Sequence, residues 1–298
     1  MEAKHLLFFK KTAELENMTK AAESLTVSQP FLSRSIAELE SELGVKLFDH
    51  VGRGIVLNPC GKAFYNRVVT IANEVEDAKK EVRDMDFISQ SQIRVVTNVS
   101  LYMPGLFKLI EESNPEIKIS QHSADRRTIV KMLRDGRVDY AICSPPLDEN
   151  LDFETYILGF EPGVIIYPQG HWLEGHKETT FSEIENETFI SVANGYGARD
   201  AVEKQFEELN IHSKIAIETG DTSSVFRYVS YGLGIAAVPF SMVLKEPEYQ
   251  NRYVKLIPSV GAELSLSWRK NQYKNASGRV FIAKTKEYFD LLEQTRRL

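Results

Sequence analysis

The sequence predicts two folds in one chain. The N-terminal part is an all-α winged helix-turn-helix with a long linker helix, and the C-terminal part is an α/β domain of two lobes. Three observations carry this. Two short helical patterns meet at a tight turn between Met18 and Ala37. From Lys62 to Met85 there is no Gly or Pro, and apolar residues recur at heptad spacing. After Ser91, short apolar runs alternate with amphipathic stretches, as strand–helix units do.

A chain of 298 residues suits two or three domains. It has no apolar run of membrane length and no signal-peptide pattern. Its two cysteines, Cys60 and Cys143, form neither a metal spacing nor a disulfide framework, and its six histidines are scattered. The expectation is a reduced, cytoplasmic protein with no cofactor and no metal. A redox switch between the two thiols is the alternative.

Met18–Ala37 sets out the helix-turn-helix. Asn17 or Thr19 can cap a first helix that buries Ala21, Ala22 and Leu25. Thr26 and Val27 form the turn. Ser28 caps a second helix with Pro30 in its first turn, where a missing N–H costs nothing. Leu32, Ile36, Leu39 and Leu43 lie on one face, and Gly44 ends the helix. The opposite face carries Gln29, Ser33, Arg34 and Ala37. Gln can read adenine, Arg guanine, and Ser either edge in a DNA major groove. An ordinary helical hairpin with a solvated polar face is the competing explanation.

Local charge favours the competitor. Residues 1–58 hold seven Lys/Arg against eight Asp/Glu, unusual for a nucleic-acid domain. Glu38, Glu40 and Glu42 nevertheless lie at the far end of the second helix. After it, Leu47–His50 and Gly54–Leu57 read as strands around Val51-Gly52-Arg53-Gly54, a wing whose Arg53 can reach phosphate or minor groove.

The run Thr-Lys-Ala-Ala-Glu-Ser-Leu (19–25), Val-Ser-Gln-Pro-Phe-Leu-Ser-Arg-Ser-Ile (27–36) and Leu-Glu-Ser-Glu-Leu-Gly-Val-Lys-Leu-Phe (39–48) closely resembles the winged helix-turn-helix of LysR-type transcriptional regulators. The resemblance implies that Gln29, Pro30, Ser33 and Arg34 face DNA and that Arg53 belongs to the wing. The full set of expected DNA contacts is Thr19, Lys20, Ser28, Gln29, Pro30, Phe31, Ser33, Arg34 and Arg53. Two departures stand out. Phe31 sits where the family often has a small residue, so it contacts a thymine methyl or simply fills space. Asn58-Pro59-Cys60-Gly61 replaces a more usual Thr-containing helix start, although Asn at the cap and Pro at the first position do the same job.

Behind the wing, Phe64, Val68, Ile71, Val75, Ala78, Val82 and Met85 fall at alternating spacings of four and three, a coiled-coil seam. A helix packed on its own domain is the alternative. The expectation is a homodimer, and through it a tetramer, on a palindromic operator. The family resemblance also makes this helix a dimerising linker.

The remaining chain reads as two series. The first has strand Ile93–Thr97, helix Pro104–Ser113, strand Ile117–Gln121, a helix capped by Asp125 through Arg134, and strand Asp139–Ser144. A crossing segment, Gly163–Tyr167, leads to the second. That series has strand Thr188–Val192, helix Arg199–Leu209, strand Ile215–Thr219, helix Ser223–Tyr231 and strand Gly234–Val238. Leu264–Trp268 and a last helix, Val280–Arg297, return to the first lobe. This implies two doubly wound lobes with mostly parallel sheets. The phrases Leu133–Ile142 and Tyr231–Pro239 stand where the family's effector domain, similar to a type 2 periplasmic binding protein, has its recurrent motifs. The expected boundaries are 1–58 for the winged helix-turn-helix, 59–90 for the linker and 91–298 for the effector domain. Lobe I covers about 91–162 and 266–298, and lobe II about 163–265.

Doubly wound sheets bind ligands at the carboxyl ends of their strands. Those ends carry Thr97, Asn98 and Ser100, then Ser144, then Asn194, Gly195 and Tyr196, then Thr222. Arg126 and Arg127 lie near the expected mouth and are candidate partners for a ligand carboxylate. Each hydroxyl or Asn is also an ordinary cap. The leading function is a LysR-type DNA-binding regulator modulated by a small, anionic effector between the lobes. The rivals are an architectural DNA-binding protein that ignores small molecules, and an enzyme on the two-lobed fold. Against the enzyme, no nucleophile–base pair recurs at a recognisable spacing.

Overall fold

The computed structural model of the chain describes residues 2–52, 54–85, 92–147, 152–192, 197–209, 214–220 and 222–296. Contacts divide it into two units, Met1–Ser89 and Gln90–Leu298.

The first unit runs α1 (Ala3–Leu15), α2 (Met18–Ser24), α3 (Gln29–Leu43), β1 (Phe48–Val51), β2 (Gly54–Leu57) and α4 (Pro59–Met85). The caps follow from side-chain chemistry. Asn17 Oδ1 accepts the Lys20 N–H at 3.0 Å and Ser28 Oγ the Phe31 N–H at 3.4 Å. Between α2 and α3 the Thr26 N–H donates to Glu23 O and the Val27 N–H to Ala22 O, a Schellman closure. Thr26 holds the left-handed position at φ 57°. Gly44 holds the equivalent place after α3 at φ 70°. Fully buried Ala21 lets α3 pack closely, and Phe9, Leu32, Leu39 and Leu47 fill the space between the helices. Leu43 is only partly buried. Asn58 accepts the Gly61 N–H and donates to Lys46 O, tying the start of α4 to the approach of β1.

The second unit begins with β3 (Gln92–Thr97), α5 (Met103–Ser113), β4 (Lys118–Ser123), α6 (Arg126–Arg134) and β5 (Tyr140–Cys143). Then come β6 (Phe153–Ile166), β7 (Glu178–Thr180), β8 (Thr188–Val192), α7 (Gly197–Glu208), β9 (Lys214–Thr219) and α8 (Thr222–Ser230). It ends with β10 (Ala236–Pro239), α9 (Phe240–Val243), β11 (Tyr253–Ile257), β12 (Gly261–Arg269) and α10 (Ala276–Arg296). The main sheet has the order β4-β3-β5-β12-β6-β11-β7, with β10 also on β6 and β8 pairing β9 beside it.

Two features differ from expectation. The crossing segment Gly163–Tyr167 is the end of a 14-residue strand. The first part of β6 pairs antiparallel with β12 from Phe153↔Arg269 to Pro162↔Gly261, and its last residues pair with β10 and β11 in lobe II. A bulge opposite Leu264/Ser265, with Gly159 at φ 144°, breaks its alternation. The sheets are also mixed rather than mostly parallel, because both crossing strands run antiparallel to their neighbours. β7, α9 and β11 had no counterpart in the sequence reading.

The lobe I core gathers Val95, Leu106, Tyr140, Leu266 and Phe281, so α10 does return to this lobe. In lobe II, Ile165 faces one core with Tyr167 and Phe181, and Val164 and Ile166 face another with Phe226 and Tyr249. That is the period-two alternation of a strand covered on both sides. Arg94 donates from Nε and Nη2 to both carboxylate oxygens of buried Asp139, at 3.0 and 2.9 Å, joining β3 to the approach of β5.

Candidate functional site

α3 buries Leu32, Ser35, Ile36, Leu39 and Glu40. That turns Gln29, Pro30, Phe31, Ser33 and Arg34 to solvent, with Thr19, Lys20 and Ser28 exposed beside them. Among the described residues the Arg34 guanidinium has no ion pair or hydrogen bond. Phe31 is half-exposed and meets the Phe8 ring edge-on at 5.9 Å, so it both fills space and presents an apolar edge. The hairpin register pairs Val51 with Gly54. Arg53 itself lies outside the described residues.

The acidic end of α3 is used internally. Glu40 is buried, its carboxylate accepting the Leu47 N–H at 2.9 Å and the Lys46 ammonium at 2.7 Å. Glu38 lies 3.7 Å from His5 Nε2. The adverse local charge is thereby partly committed to structure, away from the exposed N-terminal half.

On α4 the heptad residues separate. Phe64 packs 5.1 Å from Phe9, and Val68 is buried with the same core, because the first turns of the helix cover the head. Those two positions are taken up inside the unit. Ile71, Val75, Ala78 and Val82 are exposed, with Val82 at 65%. The side chain of Met85 lies outside the described residues.

In the second unit a cavity of about 460 Å³ opens between the lobes. Lobe I contributes Asn98–Tyr102 and Ser144, the crossing strands contribute Glu161, Gly163, Ala262 and Leu264, and lobe II contributes Val192, Gly220, Ser223, Ala237–Pro239 and Met242. Of the expected residues, Asn98, Ser100 and Ser144 line it. Asn98 clamps Ser144, accepting its N–H at 3.0 Å and donating to its carbonyl at 2.7 Å. Ser100 Oγ lies 3.1 Å from Ser123 Oγ. Thr97 does not line the cavity. Its fully buried Oγ1 accepts the Val99 N–H and shapes the turn.

Arg126 is not a lining residue either. Its Nη1 donates to Pro145 O at 2.7 Å. Arg127 is exposed and outside the lining as well. Asn194, Gly195 and Tyr196 lie outside the described residues, as does the side chain of Thr222.

Sequence reasoning missed the centre of the cleft. Glu161, on β6, accepts the Ser241 N–H at 2.9 Å and the Tyr102 hydroxyl, and that hydroxyl lies 2.9 Å from Ser241 Oγ. Tyr102 belongs to lobe I and Ser241 to lobe II, so the Glu161 carboxylate joins them at the crossing. The Lys245 ammonium adds a second link, donating to Leu101 O at 3.0 Å. Glu161 stands between Gly159 and Gly163 in a stretch that resembles a loop, and nothing in its spacing marks it.

No described helix is long and apolar enough to cross a membrane. A family model described as LysR substrate binding domain matches residues 90–290, more than half of the chain. One described as bacterial regulatory helix-turn-helix protein, lysR family, matches residues 3–62. The chain is 29% identical to the uncharacterized HTH-type transcriptional regulator YybE of Bacillus subtilis over 94% of its own length and 97% of that protein's. A full-length OxyR variant from Pseudomonas aeruginosa shares the fold at a TM-score of 0.74 and 20% identity, covering 98% of this chain and 95% of that one. Full-length CbnR complexed with its target DNA gives 0.61 at 20% identity, covering 97% and 100%. The chain belongs to the LysR family of helix-turn-helix transcriptional regulators.

Proposed function

We propose that this regulator reads DNA with the N-terminal half of α3, dimerises through α4 and answers to a small molecule held in the cleft cavity. The observation that carries the reading is the exposed set Gln29, Ser33 and Arg34, with no side-chain partner among the described residues, on a helix whose other face is locked into a core. Thr19, Lys20 and Ser28 flank that set and suit phosphate contacts, with Pro30 and Phe31 against the groove and Arg53 on the wing. The exposed stripe Ile71, Val75, Ala78 and Val82 is the dimer seam, which pairs two heads on a palindromic operator. The protein acts in the cytoplasm and is not an enzyme. Solved CbnR is complexed with its target DNA, which supports the same role for this head.

Arg34→Ala is the direct test. On an operator selected from random sequence, it should weaken specific binding by about 1–3 kcal/mol. Unchanged affinity removes Arg34 from the interface. For the cavity, Ser100→Phe should abolish the effector response and leave operator binding intact. A loss of operator binding instead would refute the assignment.

A further inference from the structure

The two lobes of the second unit are fastened to each other at a buried junction. The Tyr102 hydroxyl, from the turn between β3 and α5 in lobe I, donates to Glu161 Oε2. The Ser241 N–H, from α9 in lobe II, donates to Glu161 Oε1 at 2.9 Å. With its proton directed at the carboxylate, the Tyr102 oxygen accepts the Ser241 hydroxyl at 2.9 Å. All three residues are buried. Four residues after Ser241, the exposed Lys245 adds a tie that water can compete for, donating to Leu101 O at 3.0 Å. Consecutive residues of one lobe are thus held by one short stretch of the other.

Glu161 lies on β6, and β6 and β12 are the strands that cross between the lobes. At the crossing these strands carry Gly163 and Gly261. The Gly163 N–H donates to Val260 O at 2.8 Å, and a Cβ on Gly261 would run into the Glu161 carbonyl. A rotation of one lobe on another is absorbed by a few such backbone positions. Here it would also draw the Tyr102 hydroxyl and the Ser241 N–H away from a buried carboxylate, at a cost in free energy until water replaces them.

We propose that Tyr102, Glu161 and Ser241 form a latch that holds the two lobes at one angle, with Tyr102 and Ser241 as its positioning residues. The link from latch to regulation rests on the reading of the cleft cavity as the effector site. Leu101, Tyr102, Glu161 and Met242 all line that cavity, so a molecule held there bears directly on the latch. An effector shifts the lobe angle only by its differential affinity for the latched and unlatched arrangements. The latch sets the free energy that this difference has to offset.

The test is pulsed electron–electron resonance on the full-length protein, which reads a distance between the lobes. Spin labels go on Lys108→Cys in α5 and Lys204→Cys in α7, both exposed positions, with Cys60→Ser removing the exposed native thiol. Labelled chain is mixed with excess unlabelled chain, so that an assembly carries one labelled copy. The latched protein should give one narrow distance distribution. Tyr102→Phe takes the hydroxyl out of the junction and should raise the unlatched share by about tenfold or more. Ser241→Ala removes the Oγ contact, keeps the N–H, and should raise it by about fivefold. The two substitutions together should raise it further than either. Tyr249→Phe removes a buried hydroxyl bond to Phe226 O within lobe II alone and should keep the wild-type distribution.

Identical distributions for the wild type and the doubly substituted chain overturn the latch and leave the effector reading as it was. Equal broadening in Tyr249→Phe overturns it too, because loosening would then follow from any lost core bond. The effector reading is decided separately, by the operator binding of Ser100→Phe.

Discussion

Glu40 accepts the backbone N–H of Leu47 at 2.9 Å, fastening the last turn of the exposed-face helix α3 to the chain that enters the wing. The contact turns an acidic residue that sequence analysis counted against DNA binding into a structural pin. Glu40→Ala leaves a buried N–H without its acceptor and frees the Lys46 ammonium. We expect a loss of about 1–3 kcal/mol in urea unfolding, together with weaker operator binding because the wing loses its anchor. Glu40→Gln keeps a carbonyl acceptor for Leu47 and should recover part of the stability. Equal stability of wild type and Glu40→Ala would show that the pin carries nothing.

Thr26 occupies a left-handed conformation in the Schellman turn between α2 and α3. A β-branched residue there is strained. Thr26→Asn, a residue that tolerates this region, should stabilise the protein by about 1 kcal/mol and leave operator affinity unchanged, because both turn hydrogen bonds come from the backbone. A lower melting temperature would mean that the threonine side chain contributes something the turn needs.

Burial pushes the Tyr249 hydroxyl up to about 12, with the neighbouring Glu248 carboxylate acting the same way. The hydroxyl donates to Phe226 O at 2.7 Å within the lobe II core. The unfolded chain ionises near the ordinary tyrosine value of about 10, below the folded value. The contribution of Tyr249 is therefore fully present below that pH and is lost as pH rises towards 12. Tyr249→Phe should cost about 1 kcal/mol at neutral pH and flatten the alkaline part of the stability profile. An identical alkaline loss in the variant would contradict the assignment.

Burial also raises the Cys143 thiol above its usual range, even though Ser265 Oγ lies 3.7 Å away. Cys60 is exposed at the start of α4. Since the thiolate is the reactive form, native protein should titrate one thiol rapidly with an aromatic disulfide reagent and the second only in denaturant. Rapid titration of both would place Cys143 in contact with solvent.

The exposed stripe on α4 makes a prediction of its own. Val75→Asp inserts a charge at a half-exposed position of the proposed seam without touching the core of the head. Sedimentation should move from dimer towards monomer, with helix content retained. An unchanged sedimentation coefficient would place the dimer contact elsewhere.

Local sequence determined most of the winged head. Asn17, Ser28, Gly44 and Asn58 act through their own backbone neighbourhoods, and the stripe Leu32, Ile36 and Leu39 through helix period, so caps and faces were readable without a partner. The βα units of the second domain were legible for the same reason, with Asp125 capping α6 as expected. Tertiary structure alone decided what depends on residues far apart in the chain. Phe64 and Val68 read as seam residues until the head claimed them. β6 read as a short crossing because its antiparallel partner β12 lies about a hundred residues further along the chain. Arg126 reaches Pro145 O, on a separate segment of the chain. Glu161 became the charged centre of the cleft only when the crossing strand brought Tyr102 and Ser241 to its two oxygens. Caps and helical faces are set by neighbours within one or two turns, whereas a cleft is set by which distant strands pair.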